Sequence, residues 1–343
     1  MVANPASPGS KGRTPSILVV GMLLIFALVS VYFADPIAPD HERYALLYAQ
    51  LTEAVSPEFV ASQTDWLFLW ILWVLGRLIG FHPEILFLLV GLFLGLMYWR
   101  MAWKLLPAWA AQAAVITLLA TGWYFDYSTV AIRQGIALAL LFGAVPWAIR
   151  KSGKAWPPSL LLVGAPLVHW SALVPALIVL VIRFRKVSLR VCLVAWGTLA
   201  IAFLLGLQQR ILGGLVDRIP GVSEYTDAAA YANYGSAGGN RLDFLIVSVG
   251  LVLPCLLTVR QFEEDHEMAR LLKLYLLLNS IFLLLGFVAF SDRIAAYSWF
   301  IAPILVWRTL THVRRGAVLP LTHLAVLVGG LVVGSWAILG GIQ

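Results

Sequence analysis

From Ile17 to Phe33 the chain carries no charged side chain, and apolar runs recur from there almost to its end. They fall near 16–34, 65–81, 84–99, 107–125, 128–149, 155–182, 187–206, 243–259, 271–290, 294–310 and 317–338. A helix of about 20 apolar residues crosses the ~30 Å hydrocarbon core of a bilayer. Most of these runs are near that length, and too long for the strands of a soluble sheet. A soluble domain carries about 25% charged residues; this chain of 343 carries 12%, with 61% hydrophobic. Its mean hydropathy is +0.89. These values exclude a soluble globular protein, a disordered chain and a collagen-like fibre. The predicted fold is all-α: a polytopic helical membrane protein of about 10–12 transmembrane or re-entrant helices, one membrane domain over 1–343.

The remaining charges set the predicted topology. Net charge is +7, which in a soluble protein would suggest nucleic acid. In a membrane protein Lys and Arg first mark the cytoplasmic side, so no nucleic-acid partner is expected. Residues 1–15 are polar and read as a cytoplasmic tail before a retained signal anchor. Polar stretches 35–64 and 207–242 read as periplasmic loops. If every run crosses once, Arg150/Lys151/Lys154 and Arg183/Arg185/Lys186 fall on opposite faces. The two clusters come together if 155–182 is a helical hairpin, two short helices meeting at His169-Trp170-Ser171. Each would be about 20 Å long, which requires a thinned bilayer or a wet cavity around the tip. By the same logic 65–81 reads as a re-entrant or interfacial helix that starts and ends outside. Of the 24 Lys and Arg, 17 are then inside and 7 outside, and all seven outer ones are Arg. Lys suits a solvated topology marker; Arg suits bidentate binding of phosphate or carboxylate.

The outer side gathers the candidate functional residues. Arg133, at membrane depth, needs either a partner or an anionic ligand; Asp126 is close enough in sequence to be that partner. His169 at the hairpin tip is either a satisfied core histidine or a general base. Arg293 marks a short outer turn, with Tyr297 one helical turn on. Asp40, Tyr44 and Tyr48 recur every four residues, a stripe suited to a sugar or to an amphipathic surface helix. The 207–242 segment combines Arg210, Arg241, several Tyr and Gly residues, as a mobile lid or a linker would. Cys192 and Cys255 lie in apolar runs and read as buried hydrophobes. No Cys/His spacing suggests a metal site, and no cofactor is expected. Gly91-xxx-Gly95 reads as a helix-packing motif.

Three ordered segments resemble the EpsG-like branch of Wzy-type bacterial polysaccharide polymerases. They are Asp40-His-Glu-Arg-Tyr44, then Ile132-Arg-Gln-Gly-Ile-Ala137 with Pro166-Leu-Val-His-Trp-Ser-Ala172, and finally Asp292-Arg293-Ile-Ala-Ala-Tyr297 running into Pro303. The resemblance spans about 35–310. It departs at Asp65-Trp-Leu-Phe68, where the family often has an acidic-Pro-Gly-Phe element. It implies a GT-C-like, metal-independent glycosyltransferase of O-antigen or exopolysaccharide biosynthesis. The enzyme would sit in the bacterial inner membrane with its active site facing the periplasm. It would join oligosaccharide repeat units carried on undecaprenyl diphosphate, one lipid-linked glycan as donor and another as acceptor. Membrane lipids, a chain-length regulator and a flippase are the implied partners. The catalytic candidates are His169, Arg133, Arg293 and Asp40. The substrate-binding candidates are Gln134, Tyr44, Tyr297, Arg210, Arg241 and His41. A lipid-linked glycan ligase, or a flippase or exporter of lipid-linked oligosaccharides, would share the composition and the anionic substrate.

Overall fold

The computed structural model describes residues 17–33, 39–53, 65–216, 218, 240–257 and 265–312. The tail 1–15, the apolar run at 317–338 and most of the 207–242 segment lie outside them. Every regular element described is a helix. The order is α1 (Ile17–Phe33), α2 (Pro39–Glu53), α3 (Trp66–Ile79), α4 (Pro83–Leu105), α5 (Ala108–Leu119), α6 (Gly122–Thr129), α7 (Ile132–Arg150) and α8 (Trp156–Val168). A single 3-10 turn, Trp170–Ala172, leads into α9 (Leu173–Phe184). The chain continues with α10 (Leu189–Leu204), α11 (Leu207–Val216), α12 (Leu242–Leu257), α13 (His266–Leu285), α14 (Ser291–Trp299) and α15 (Ala302–His312). The chain is an all-α, multi-pass membrane protein.

Among the described residues, four helices are long and apolar enough to cross a bilayer: Pro83–Leu105, Ile132–Arg150, His266–Leu285 and the near-continuous Ser291–Thr311. α10 with α11 makes a fifth candidate if the pair is counted as one broken span, bent by 87° at its break; it equally fits a re-entrant loop. The remaining apolar helices run 10–17 residues, so several sequence runs are subdivided. The 107–125 run breaks after Leu119, where the Thr121 hydroxyl donates to the Leu118 carbonyl at 2.6 Å. The break lets α6 turn across the head of α7. The 294–310 run pauses at Phe300 and Ile301, just before Pro303, whose ring nitrogen cannot continue the hydrogen-bond ladder.

Local chemistry places the helix starts. Pro83 opens α4 and Pro157 and Pro158 lie in the first turn of α8, where the missing N–H is no loss. Asp265 caps α13, accepting from the N–H groups of Glu267 and Met268 at 3.0 Å. The Gly91/Gly95 pair seats neighbours against α4. A Cβ on Gly95 would meet Leu23 of α1 at 2.6 Å, and one on Gly91 would meet the Tyr124 hydroxyl of α6 at 3.3 Å.

The bundle has two chemically different ends. One is basic: Arg100, Arg150, Lys151, Arg185, Lys186, Arg270, Lys273 and Arg308 lie at or near the helix ends there. At the other, α2 and α3 pack with Leu86 and Phe87 of α4, Ile132 and Ile136 of α7, and Val168 of α8. Between the ends a polar knot ties four helices. The Trp196 indole donates to Asn279 Oδ1 at 2.8 Å, while the Asn279 amide donates to Ser248 and Ser298 at 2.9 and 3.0 Å. In an apolar bundle such bonds select the pairing of helices that apolar packing leaves open.

Segment 156–184 doubles back. α8 runs antiparallel to α7, with Leu161 beside Gly143 and Leu140 beside Gly164. α9 then returns along the same helix. Phe184 meets the Trp147 ring at 5.8 Å, and the Arg183 guanidinium lies 4.7 Å over that ring. His169 stands at the turn, in extended backbone with φ −152° and ψ 113°.

Candidate functional site

At the end away from the basic residues, a carboxylate is held by three groups. Asp65 precedes α3 with a left-handed backbone, φ 56° and ψ 34°. That conformation is unusual for a residue with a Cβ, and Asp tolerates it better than most. Its Oδ2 accepts from Arg133 Nη1 at 2.9 Å and lies 3.4 Å from His169 Nδ1. Its Oδ1 accepts from the Trp170 N–H at 3.3 Å. A carboxylate only accepts, so the His169 tautomer that suits this contact carries its proton on Nδ1 and leaves Nε2 as an acceptor. Arg133 Nε donates to the Tyr44 hydroxyl at 2.9 Å, and its guanidinium lies 5.5 Å from the centre of that ring. The Asp65 side chain is 6% exposed, that of His169 18% and that of Arg133 28%.

Electrostatics agree with the geometry. Burial pushes the Asp65 carboxyl up, but the His169 contact, the Arg133 charge and the Trp170 N–H outweigh it and hold it below the usual range. Burial pushes His169 down from 6.5; Asp65 pulls it back in part, and Arg133 and Arg293 push it further down. At neutral pH the pair is therefore a carboxylate beside a neutral imidazole, the state in which Nε2 can take a proton.

A second seam joins α7 to α14. Gln134 Nε2 donates to the Arg293 carbonyl, and the Ser171 and Tyr297 hydroxyls bond at 2.9 Å. The Arg293 guanidinium lies 4.7 Å over the Phe290 ring, and Phe290 itself is left-handed with φ 59°. Near this seam Gln134 Oε1, Ser291 Oγ and Tyr127 Oη are buried with no hydrogen-bond partner among the described residues. Gly135 makes the seam possible. A Cβ there would lie 1.9 Å from the Tyr127 carbonyl, so only glycine lets α6 and α7 approach this closely.

Of the residues singled out in the sequence, Arg133, Tyr44 and His169 meet around Asp65. Gln134, Arg293 and Tyr297 form the adjoining seam. Sequence spacing pointed to Asp126 as a partner for Arg133; the carboxylate on its Nη1 belongs to Asp65, 68 residues away in the chain. Tyr44 and Tyr48 face inward, 4% and 0% exposed, and Tyr48 donates to the Gly80 carbonyl at 2.7 Å. The stripe is thus packing on its Tyr48 side, not an open sugar platform. Asp40 and His41 fall in the first turn of α2, but their side chains lie outside the described residues. Arg210 is exposed on α11. Arg241 binds Asp243 through two hydrogen bonds of 3.0 and 2.7 Å. The hydrogen bonds described for the cluster reach neither. Cys192 and Cys255 are buried thiols. Among the described residues, no three His, Cys, Asp or Glu side chains gather as a metal site would require.

A family model described as the EpsG family matches residues 16–328. No curated protein and no solved structure matches the chain.

Proposed function

The chain belongs to the EpsG family, a membership that supports a polysaccharide polymerase-like role, and on that premise we propose a specific reaction. The protein joins oligosaccharide repeat units carried on undecaprenyl diphosphate, at the periplasmic face of the bacterial inner membrane. The observation that carries this reading is the Asp65 cluster, which combines a neutral imidazole, its orienting carboxylate and a fixed guanidinium.

The acceptor sugar hydroxyl attacks the anomeric carbon of the donor. As the new C–O bond forms, the bond from that carbon to the diphosphate oxygen breaks, and the lipid diphosphate leaves with the electron pair. His169 Nε2 takes the hydroxyl proton. Asp65 fixes the ring and stabilises the imidazolium that forms, as an acid partner does in other catalytic pairs. Charge develops on the diphosphate, and Arg133 and Arg293 supply preorganised cations for it without a metal ion. Asp65 neutralises part of the Arg133 charge. Tyr44 and Gln134 hold Arg133 and the Arg293 loop in place.

Purified variants assayed for polymer length test this directly. His169→Ala is expected to lose roughly 10²–10⁴-fold in rate, the usual worth of a general base. Wild-type turnover by that variant would remove His169 from the mechanism. Deletion in cells should accumulate single undecaprenyl-linked repeats. Accumulated full-length polymer would point instead to a ligase or an exporter.

A further inference from the structure

A cavity lies at the basic end, remote from Asp65. It has a volume of about 430 Å³ and is lined by Lys151, Arg185, Lys186, His266, Arg270 and Lys273, with Ile182 and Val187 as an apolar wall. The cations arrive from separate elements. Lys151 ends α7 with a left-handed backbone, φ 53°. Arg185 and Lys186 link α9 to α10. His266, Arg270 and Lys273 lie on one face of α13, at spacings of four and three residues. Arg270 donates to the Ile149 carbonyl, which fixes its guanidinium.

No carboxylate lines this cavity among the described residues. The nearby acids of α13 are turned elsewhere. Asp265 binds Arg308 at 2.9 Å, and Glu267 binds Arg308 at 3.2 Å and Arg150 at 3.6 Å. Lys151 records the crowding: burial, then Arg270, Arg183, Lys273 and Lys186, push its ammonium below the usual lysine range. A topology signal needs only net positive charge on one side. It does not require cations from three segments around one void, with Asp265 and Glu267 directed away.

We propose that this cavity is a phosphate-binding site. Its volume suits a small headgroup, and basic pockets between membrane helices are where lipid phosphates bind. The phosphate comes from an anionic phospholipid or from a soluble phosphorylated compound. The site is independent of the polymerisation chemistry, since none of its residues touches the Asp65 cluster.

The test uses the purified full-length chain in detergent. Thermal stability is measured with added phosphatidylglycerol, phosphatidylcholine or inorganic pyrophosphate, for the wild type, for Lys186→Ala/Lys273→Ala and for Lys154→Ala, which lies outside the lining. Stabilisation by phosphatidylglycerol, weakened roughly tenfold or more in half-saturating concentration by the double variant and unchanged by Lys154→Ala, supports the site with a lipid occupant. The same pattern with pyrophosphate supports it with a soluble one. No stabilisation by either, or stabilisation that the double variant retains, overturns it. If the double variant does not fold, native mass spectrometry of the wild type decides. Preferential retention of phosphatidylglycerol supports the site, and equal retention of phosphatidylcholine overturns it.

Discussion

Asp65 organises the candidate site through two contacts with opposite effects: it anchors the guanidinium of Arg133 and orients the imidazole of His169. Removing one partner of a mostly buried ion pair costs about 3–5 kcal/mol, so Asp65→Ala should lower the unfolding free energy by a few kcal/mol in a detergent melt. Asp65→Asn is gentler, because Asn also adopts left-handed backbone. Its effect on pH dependence is specific. With neutral His169 as the proposed base, activity should hold through neutral pH and fall as pH drops through the lowered histidine value, below 6.5. The Asp65 charge is the attraction that raises that value. Asp65→Asn should therefore lower the rate and move the acid limb to still lower pH; an unmoved limb would assign the titration to another group. Arg133, Tyr44 and His169 were legible in the sequence because an ionisable or phenolic side chain next to an apolar run demands explanation. Asp65 was not. A single acid at the head of an apolar run reads as a helix boundary, and nothing local joins it to residues 68 and 104 positions later.

At the scale of elements, the placement of the site depends on close approach and on breaks. Gly135 sits between Gln134 and Ile136 on α7, with the Tyr127 carbonyl filling the space a Cβ would need. Overpacking costs about 1–3 kcal/mol, and here the obstacle is backbone rather than a movable side chain. Gly135→Ala should lower thermal stability by that order and reduce turnover, because Arg133 and Gln134 ride on the displaced turn. Thermal stability in detergent and polymer assay of the same sample check both. The break at His169 was readable from charge bookkeeping between two basic clusters. The break at Thr121 was not, because 107–125 carries no charged residue to mark it. Its signal is a hydroxyl turned onto the preceding turn, which tertiary packing of α6 over Gly91 makes favourable.

For the whole molecule, the two ends carry the argument. The basic end gathers residues from α4, α7, the link between α9 and α10, α13 and α15; the opposite end holds Asp65, His169 and Arg293. The positive-inside rule predicts that the first end faces the cytoplasm. Single cysteines at Gly153 and Trp170 test this, since both native thiols are buried. An impermeant maleimide applied to intact cells should label position 170 and spare 153. The reverse pattern would invert the orientation. The length of the hairpin has one more consequence. Helix α8 has 13 residues and rises about 20 Å at 1.5 Å per residue, so its tip stops short of the far surface of a ~30 Å core. A polyprenyl carrier would then meet its base without lifting the diphosphate far into water. Donor and acceptor would find each other by lateral diffusion in two dimensions, and turnover would depend on how crowded the membrane is with carriers rather than on any bulk concentration.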